Sequence, residues 1–194
     1  MIKSTLLSGS ALLLLLATTA GANTAYDETA SGDLSGDLAN PTPITFIPGI
    51  NTVSGSFGSN GNTGATDGSD ADYLTFTLAP DQSIDAITLL EYTTTGNNAD
   101  LAFVGTVAAN AFTGQGGGDV DAFELFNAFD DALFAGSLPL GPGDHAFWFQ
   151  QTSNGVWNYE VRFNVVPEPA SFGLLAVGTA GFAFTGRRRR RHSY

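Results

Sequence analysis

Two stretches of strict alternation constrain this chain more than any other feature. Trp157–Val165 carries an aromatic or branched apolar residue at every odd position and a polar residue at every even position. Asp72–Leu78 alternates in the same way, with Leu74, Phe76 and Leu78 on one face and Tyr73, Thr75 and Thr77 on the other. Because successive side chains of a strand point to opposite faces, both stretches are predicted to be half-buried β-strands.

The rest of the central sequence predicts further strands, separated by glycine-rich turns. The whole chain contains 24 glycine residues. The candidate strands are Thr42–Ile47, Thr52–Phe57, Ile84–Tyr92, Leu101–Val107 and Asp144–Gln151. This pattern predicts an all-β fold, a β-sandwich or jelly roll of about seven or eight strands.

Two local segments bear on how these strands connect. Ser153-Asn154-Gly155 is typical of a hairpin turn, which would join the last two strands directly. Ala122–Phe134 fits helical spacing, but Phe123 and Leu125 also fit a short strand. Because the rest of the body is predicted to be all-β, we interpret this segment as a strand followed by a turn.

The N-terminal residues 1–22 are typical of a secretory signal peptide. Lys3 gives a positive start, Leu6–Ala17 forms an apolar helical core, and Ala20-Gly21-Ala22 supplies the small residues of a cleavage site. We expect cleavage after Ala22, and hence export of the chain. The alternative is an N-terminal anchor that is not cleaved.

The C-terminal residues 167–194 have three parts in order. Pro167, Glu168 and Pro169 come first, an uncharged apolar run from Ala170 to Gly186 follows, and Arg187–Arg191 close it. As a single membrane-spanning helix, the apolar run measures about 26 Å against a hydrocarbon core of about 30 Å. The five arginines, Arg187, Arg188, Arg189, Arg190 and Arg191, would stop transfer and stay cytoplasmic. The alternative is a permanent single-span anchor.

This three-part tail resembles the PEP-CTERM sorting tail of Gram-negative bacteria that make an extracellular polysaccharide. The resemblance implies that Pro167, Glu168 and Pro169 are the sorting motif and that an exosortase is the processing partner, after the secretion machinery. It also implies a membrane-held intermediate, delivery to the cell surface or extracellular matrix, and an association with exopolysaccharide and biofilm.

The charge of the exported body, residues 23–166, excludes one class of partner. It contains 18 acidic residues and a single basic residue, Arg162, giving a net charge of −17. Such a body repels nucleic acid and anionic lipid but attracts cations. The chain has no cysteine, so disulfides, thiolate metal sites and a cysteine nucleophile are excluded.

The segment Gly68–Leu78 resembles the Asp-x-Asp-Tyr strand of bacterial pre-peptidase C-terminal (PPC) domains. These are β-sandwich accessory modules of secreted proteins, and the resemblance implies substrate or matrix binding, with calcium in some relatives. From the residues themselves, Asp67, Asp70 and Asp72 offer closely spaced oxygen ligands that suit calcium. The alternative is that these aspartates cap turns. No other cofactor is expected.

Catalysis has little support in the sequence. The body has one histidine, His145, on a predicted strand, and there is no nucleophile-elbow motif. We therefore expect a non-enzymatic surface or matrix protein. The alternatives are a calcium-dependent carbohydrate- or protein-binding module and, third, a secreted hydrolase.

Overall fold

The computed structural model describes residues 21–58, 70–94, 102–116, 118–126, 132–151 and 155–168. They form ten strands and one short helix, α1 (Glu28–Ser31). The strands are β1 (Asn23–Asp27), β2 (Thr42–Pro43), β3 (Gly49–Gly58), β4 (Ala71–Leu78), β5 (Gln82–Thr94), β6 (Ala102–Val107), β7 (Ala122–Phe126), β8 (Ala132–Leu133), β9 (Gly143–Gln151) and β10 (Val156–Pro167).

The strands form two sheets of five. Sheet A has the order β1-β3-β10-β5-β8, and sheet B has the order β2-β4-β9-β6-β7. The pairs β1–β3 and β2–β4 are parallel, and the other pairs are antiparallel. The all-β sandwich expected from the sequence is confirmed for the described residues.

The core lies between the two sheets and is mainly aromatic. Phe163 of β10 packs against Phe76 of β4 and Phe147 of β9, with ring centroids 6.1 and 5.3 Å apart. Tyr159 stacks on Phe149 at 4.9 Å. Burying one such side chain stabilises the fold by about 1.5–3 kcal/mol. Packing of this kind accounts for a stable body without disulfides.

The alternation predicted for the two long strands is confirmed. Along β10 every odd residue from Trp157 to Val165 is buried. On β4 the inward face joins the main core, while Tyr73 on the outward face joins a second apolar cluster with Phe112, Ala146 and Trp148. The loop that carries Phe112 therefore covers part of the outer face of sheet B.

The described ends of the ambiguous segment 122–134 are also consistent with the strand interpretation. Ala122–Phe126 forms β7, and Ala132–Leu133 forms β8 before a turn at Phe134. Residues 127–131 lie outside the described part of the chain. β1, α1 and β8, which are all short, were not predicted from the sequence.

The expected hairpin between the last two strands is wrong. β9 pairs with β4 and β6 in sheet B, whereas β10 pairs with β3 and β5 in sheet A. The connection through Gly155 therefore crosses from one sheet to the other. A turn sequence reports a local change of direction, but it does not determine which strand the chain pairs with next.

Candidate metal centre and sorting motif

The predicted aspartate loop is only partly within the described residues. Asp67 lies outside them, while Asp70 directly precedes β4 and Asp72 is the second residue of that strand. The backbone of Asp70 exchanges hydrogen bonds with Gly58, at 2.7 and 3.2 Å. Asp72 is completely buried on the inward face of β4, in phase with Leu74. Asp70 is buried as well, and its charge is one of the causes that raise the pKa of Asp72.

Asp72 is a carboxylate inside the sandwich with incomplete hydrogen bonding. The Tyr159 hydroxyl donates to its Oδ2 at 2.7 Å, across the space between the sheets. Its Oδ1 is buried and has no hydrogen-bond partner among the described residues. Burial raises the pKa of Asp72 well above its ordinary value, and the charge of Glu28 raises it further.

Glu28 reaches the same region from the N-terminal segment. Asp27 caps α1 by accepting a hydrogen bond from the Thr29 N–H at 2.9 Å, which places Glu28 at the first position of the helix. The Glu28 carboxylate accepts hydrogen bonds from the backbone N–H groups of Leu34, at 3.0 Å, and Ser56, at 2.7 Å. It is therefore fixed in one orientation against β3.

Gly55 makes room for that carboxylate. A Cβ atom at this position would lie 2.6–2.9 Å from the carboxylate atoms of Glu28, closer than van der Waals contact allows. Any larger residue at Gly55 would have to displace Glu28. Burial raises the pKa of Glu28 from its ordinary value of 4.5 to about 7, although the two backbone hydrogen bonds oppose the shift.

Together, Glu28, Asp33 and Asp72 form an acidic cluster. Each offers an oxygen within 4.8 Å of the other two, and no other acidic or histidine trio is as close in the described ranges. Burial also raises the pKa of Asp33. Asp72 is buried, whereas Glu28 and Asp33 are half-buried, and three carboxylates so close together repel one another unless protons or a cation neutralise them.

The donor set of the acidic cluster fits a hard cation. All three ligands are carboxylate oxygens, which calcium prefers, and the unpartnered Asp72 Oδ1 is a ready acceptor. Asp72 was predicted from the sequence as a metal ligand, whereas Glu28 and Asp33 were not, because only folding brings their distant segment to β4. One feature of the sequence indicated the burial of Asp72. It is in phase with the apolar residues of β4, which predicts that its side chain faces the core.

His145 and two further aspartates of the body take structural roles. Asp119 accepts a hydrogen bond from the Gly116 N–H at 2.9 Å, and Asp121 accepts one from the Ala108 N–H at 2.7 Å. Both therefore fix loop backbone. The ring Nε2 of His145 lies 2.8 Å from the Gly141 carbonyl oxygen, and the ring stacks on Phe76 at 5.6 Å. His145 is thus engaged in packing.

The C-terminal motif adjoins the fold directly. β10 continues through Pro167, which pairs with Gln82, and the Glu168 N–H donates to the Asp81 carbonyl oxygen at 2.7 Å. Pro167 and Glu168 are both exposed. Pro169, the apolar run and the five arginines lie outside the described residues. Within the described ranges, no helix has the length and apolar character needed to span a membrane.

A family model of the PEP-CTERM protein-sorting motif matches residues 165–190. The chain carries a PEP-CTERM sorting motif. The motif marks an exported protein with a C-terminal signal that an exosortase processes. No curated protein and no solved structure shows significant similarity to the chain. The resemblance of the body to PPC domains is therefore not confirmed.

Proposed function

We propose that the chain is a non-enzymatic surface or extracellular-matrix protein of a Gram-negative bacterium that makes exopolysaccharide. The observation that carries the proposal is the PEP-CTERM motif at the end of a folded, acidic β-sandwich. Pro167 ends the last strand and Glu168 follows it directly, and both are exposed, so these two motif residues are accessible while the body is folded. The use of His145 in packing supports a role without catalysis.

Cell fractionation tests the delivery step. In the native host, the chain is expected in the surface or matrix fraction. Replacement of Pro167, Glu168 and Pro169 by alanine is expected to hold it in the inner membrane with its tail attached. A matched variant, Asp81→Ala, leaves the three motif residues intact and should be delivered normally. Normal delivery of the motif variant would contradict the proposal.

Association with exopolysaccharide is a separate step of the proposal and needs its own test. The exported protein is mixed with purified exopolysaccharide from the same host, and the fraction that sediments with the polymer is measured. Enrichment in the pellet is expected. An anionic polymer would repel a body of charge −17, so binding to it should strengthen with added salt or calcium. Absence of binding under all conditions would limit the role to the surface.

A second candidate is a calcium-dependent binding module. The observation favouring it is the acidic cluster of Glu28, Asp33 and Asp72, which includes a buried oxygen without a described partner. Asp70 stands beside this cluster in sequence, and Asp67 belongs to the same predicted loop. Bound calcium would tie the N-terminal segment to β4.

Thermal melting at fixed ionic strength tests calcium binding. Sites in extracellular modules have Kd values of about 10⁻⁴–10⁻³ M. Calcium at about 10 mM should then stabilise the folded state by about 1.4–2.7 kcal/mol. The increase in Tm should vanish in Asp72→Asn and Glu28→Gln, and persist in the exposed control Asp81→Asn. Equal increases in all four proteins would indicate screening alone.

A further inference from the structure

β7 is the outermost strand of sheet B among the described residues. It pairs with β6 along five residues on one side, from Ala122 opposite Thr106 to Phe126 opposite Ala102. On its other side no described strand pairs with it. A free edge of this kind presents unpaired backbone N–H and C=O groups. An extended segment of another chain can form hydrogen bonds with them and so add one strand to the sheet.

The outward face of β7 is unusually apolar for an edge. The side chains of Phe123 and Leu125 are 63% and 46% exposed, and the other two exposed large apolar residues in the described ranges lie elsewhere. Natural edge strands commonly carry charged or proline residues that prevent pairing. Here the outward positions favour contact with apolar side chains.

A shallow groove of about 220 Å³ adjoins this apolar surface on the outward side of β7. Phe103, Val120 and Trp148 line it together with Phe123 and Leu125. Its floor is fixed, because Trp148 packs edge-on to Phe103 at 4.8 Å and stacks on Tyr73 at 5.7 Å. Apolar side chains of an added strand would therefore meet a rigid aromatic surface.

The inward face of β7 carries an acidic residue, Glu124, which favours a basic residue in any strand added beside it. Glu124 alternates with Phe123 and Leu125, and its Oε2 is buried with no hydrogen-bond partner among the described residues. A residue opposite Glu124 in an added strand would have its Cβ about 4.5–5.5 Å away. A basic side chain at that position would supply the missing donor.

The same geometry disfavours a second copy of this chain. Antiparallel pairing of two β7 strands about their midpoint would place Glu124 directly opposite Glu124 of the partner, and like charges in that position are destabilising. Each body also carries a net charge of −17. An apolar segment containing a basic residue avoids both repulsions.

We propose that β7 is a docking edge for an extended segment of another protein, in which a basic residue lies between two apolar residues. The basic residue pairs with Glu124. The apolar residues lie on the other face, against Phe123, Leu125 and the groove. Backbone hydrogen bonds to the free edge give affinity, and the alternating side chains give specificity. The proposal does not depend on the proposed function.

Capped peptides of matched sequence test this proposal. The probe is Thr-Val-Lys-Val-Thr and the control is Thr-Val-Glu-Val-Thr, each titrated into the isotope-labelled exported protein and followed by amide chemical shifts. Shifts should concentrate on β7 and the groove. Exchanging an attractive for a repulsive cross-strand pair should make the lysine peptide bind about three- to tenfold more tightly.

Variants separate the two parts of the surface. Glu124→Gln should remove most of the difference between the two peptides, whereas Phe123→Ser and Leu125→Ser should weaken both peptides by a similar factor. Backbone N-methylation of the lysine peptide should abolish binding, because it removes the hydrogen bonds of strand addition. Circular dichroism of each variant confirms that the fold is retained.

Three results with the peptides would overturn the proposal. They are equal affinity for the two peptides, unchanged binding after N-methylation, and absence of shifts on β7. Sedimentation of the protein alone covers the remaining occupant. Self-association that Phe123→Ser abolishes would assign the edge to a second copy of this chain and would also overturn it.

Discussion

At the scale of single residues, the least usual feature is a carboxylate inside an aromatic core. Asp72 shares the inward face of β4 with Leu74 and Phe76, and it is fully buried. The Tyr159 hydroxyl is its described hydrogen-bond donor, and Glu28 lies close enough to raise its pKa. Burying the charge of Asp72 costs free energy, and a bound proton or cation would offset that cost.

Removal of the Tyr159 hydroxyl should expose that cost. Tyr159→Phe leaves both oxygens of Asp72 without a described donor, and an unsatisfied buried polar group costs about 1–3 kcal/mol, or more when charged. Denaturant unfolding should show a loss of at least this size. Tyr26→Phe is the matched control, since the Tyr26 hydroxyl donates to the Gly32 carbonyl oxygen in an exposed bond. An equal loss in both variants would contradict the special role of Tyr159.

The raised carboxyl pKa values predict an unusual dependence of stability on pH. Because the pKa of Glu28 rises from 4.5 to about 7 on folding, the folded state binds more protons than the unfolded state between these values. The free energy of unfolding should therefore fall as pH rises through this window. The raised pKa values of Asp33 and Asp72 act in the same direction.

Melting in a calcium-free buffer containing a chelator measures this effect. Tm should be higher at pH 5 than at pH 8, and the difference should shrink in Glu28→Gln. Glu91→Gln removes one exposed charge of the same type and controls for the general repulsion within an acidic body. The same reduction in both variants would show that net charge, and not the acidic cluster, sets the pH dependence.

At the scale of elements, β10 is the central strand of sheet A, and every odd-numbered residue from Trp157 to Val165 is buried. It pairs with β3 from Val156 to Val165 and with β5 from Trp157 to Pro167. Its alternating pattern could be predicted from the sequence because one face of β10 is buried in the core and the other is not. The neighbours of β10 were not readable, since sheet membership depends on contacts distant in sequence.

Aromatic truncations should separate the core from the surface. Phe163→Ala and Phe76→Ala remove side chains that are 0% and 3% exposed, and loss of a buried phenylalanine costs about 3–5 kcal/mol. Phe123→Ala removes a largely exposed ring and should change the free energy of unfolding by no more than about 0.5 kcal/mol. Equilibrium unfolding of the three variants checks this order. A larger loss for Phe123→Ala would contradict the assigned faces of β7.

At the scale of the whole molecule, features set by neighbouring residues could be predicted from the sequence. Features that depend on contacts between distant segments could not. The all-β class followed from alternation in Asp72–Leu78 and Trp157–Val165, because pattern and burial share one period. The acidic cluster could not follow, since the segment carrying Glu28 and Asp33 meets β4 only after folding. Turn residues at Gly155 likewise indicated a turn, while the choice of sheet depended on long-range packing.

The intact mass of the protein recovered outside the cell tests the central claim most directly. An exported, exosortase-sorted chain should have lost the predicted signal peptide, residues 1–22, and the tail after the Pro-Glu-Pro motif, Ala170–Tyr194. Its mass should therefore correspond to a chain that begins at Asn23 and ends near Pro169. An extracellular form that retains Arg187–Arg191 would contradict the account.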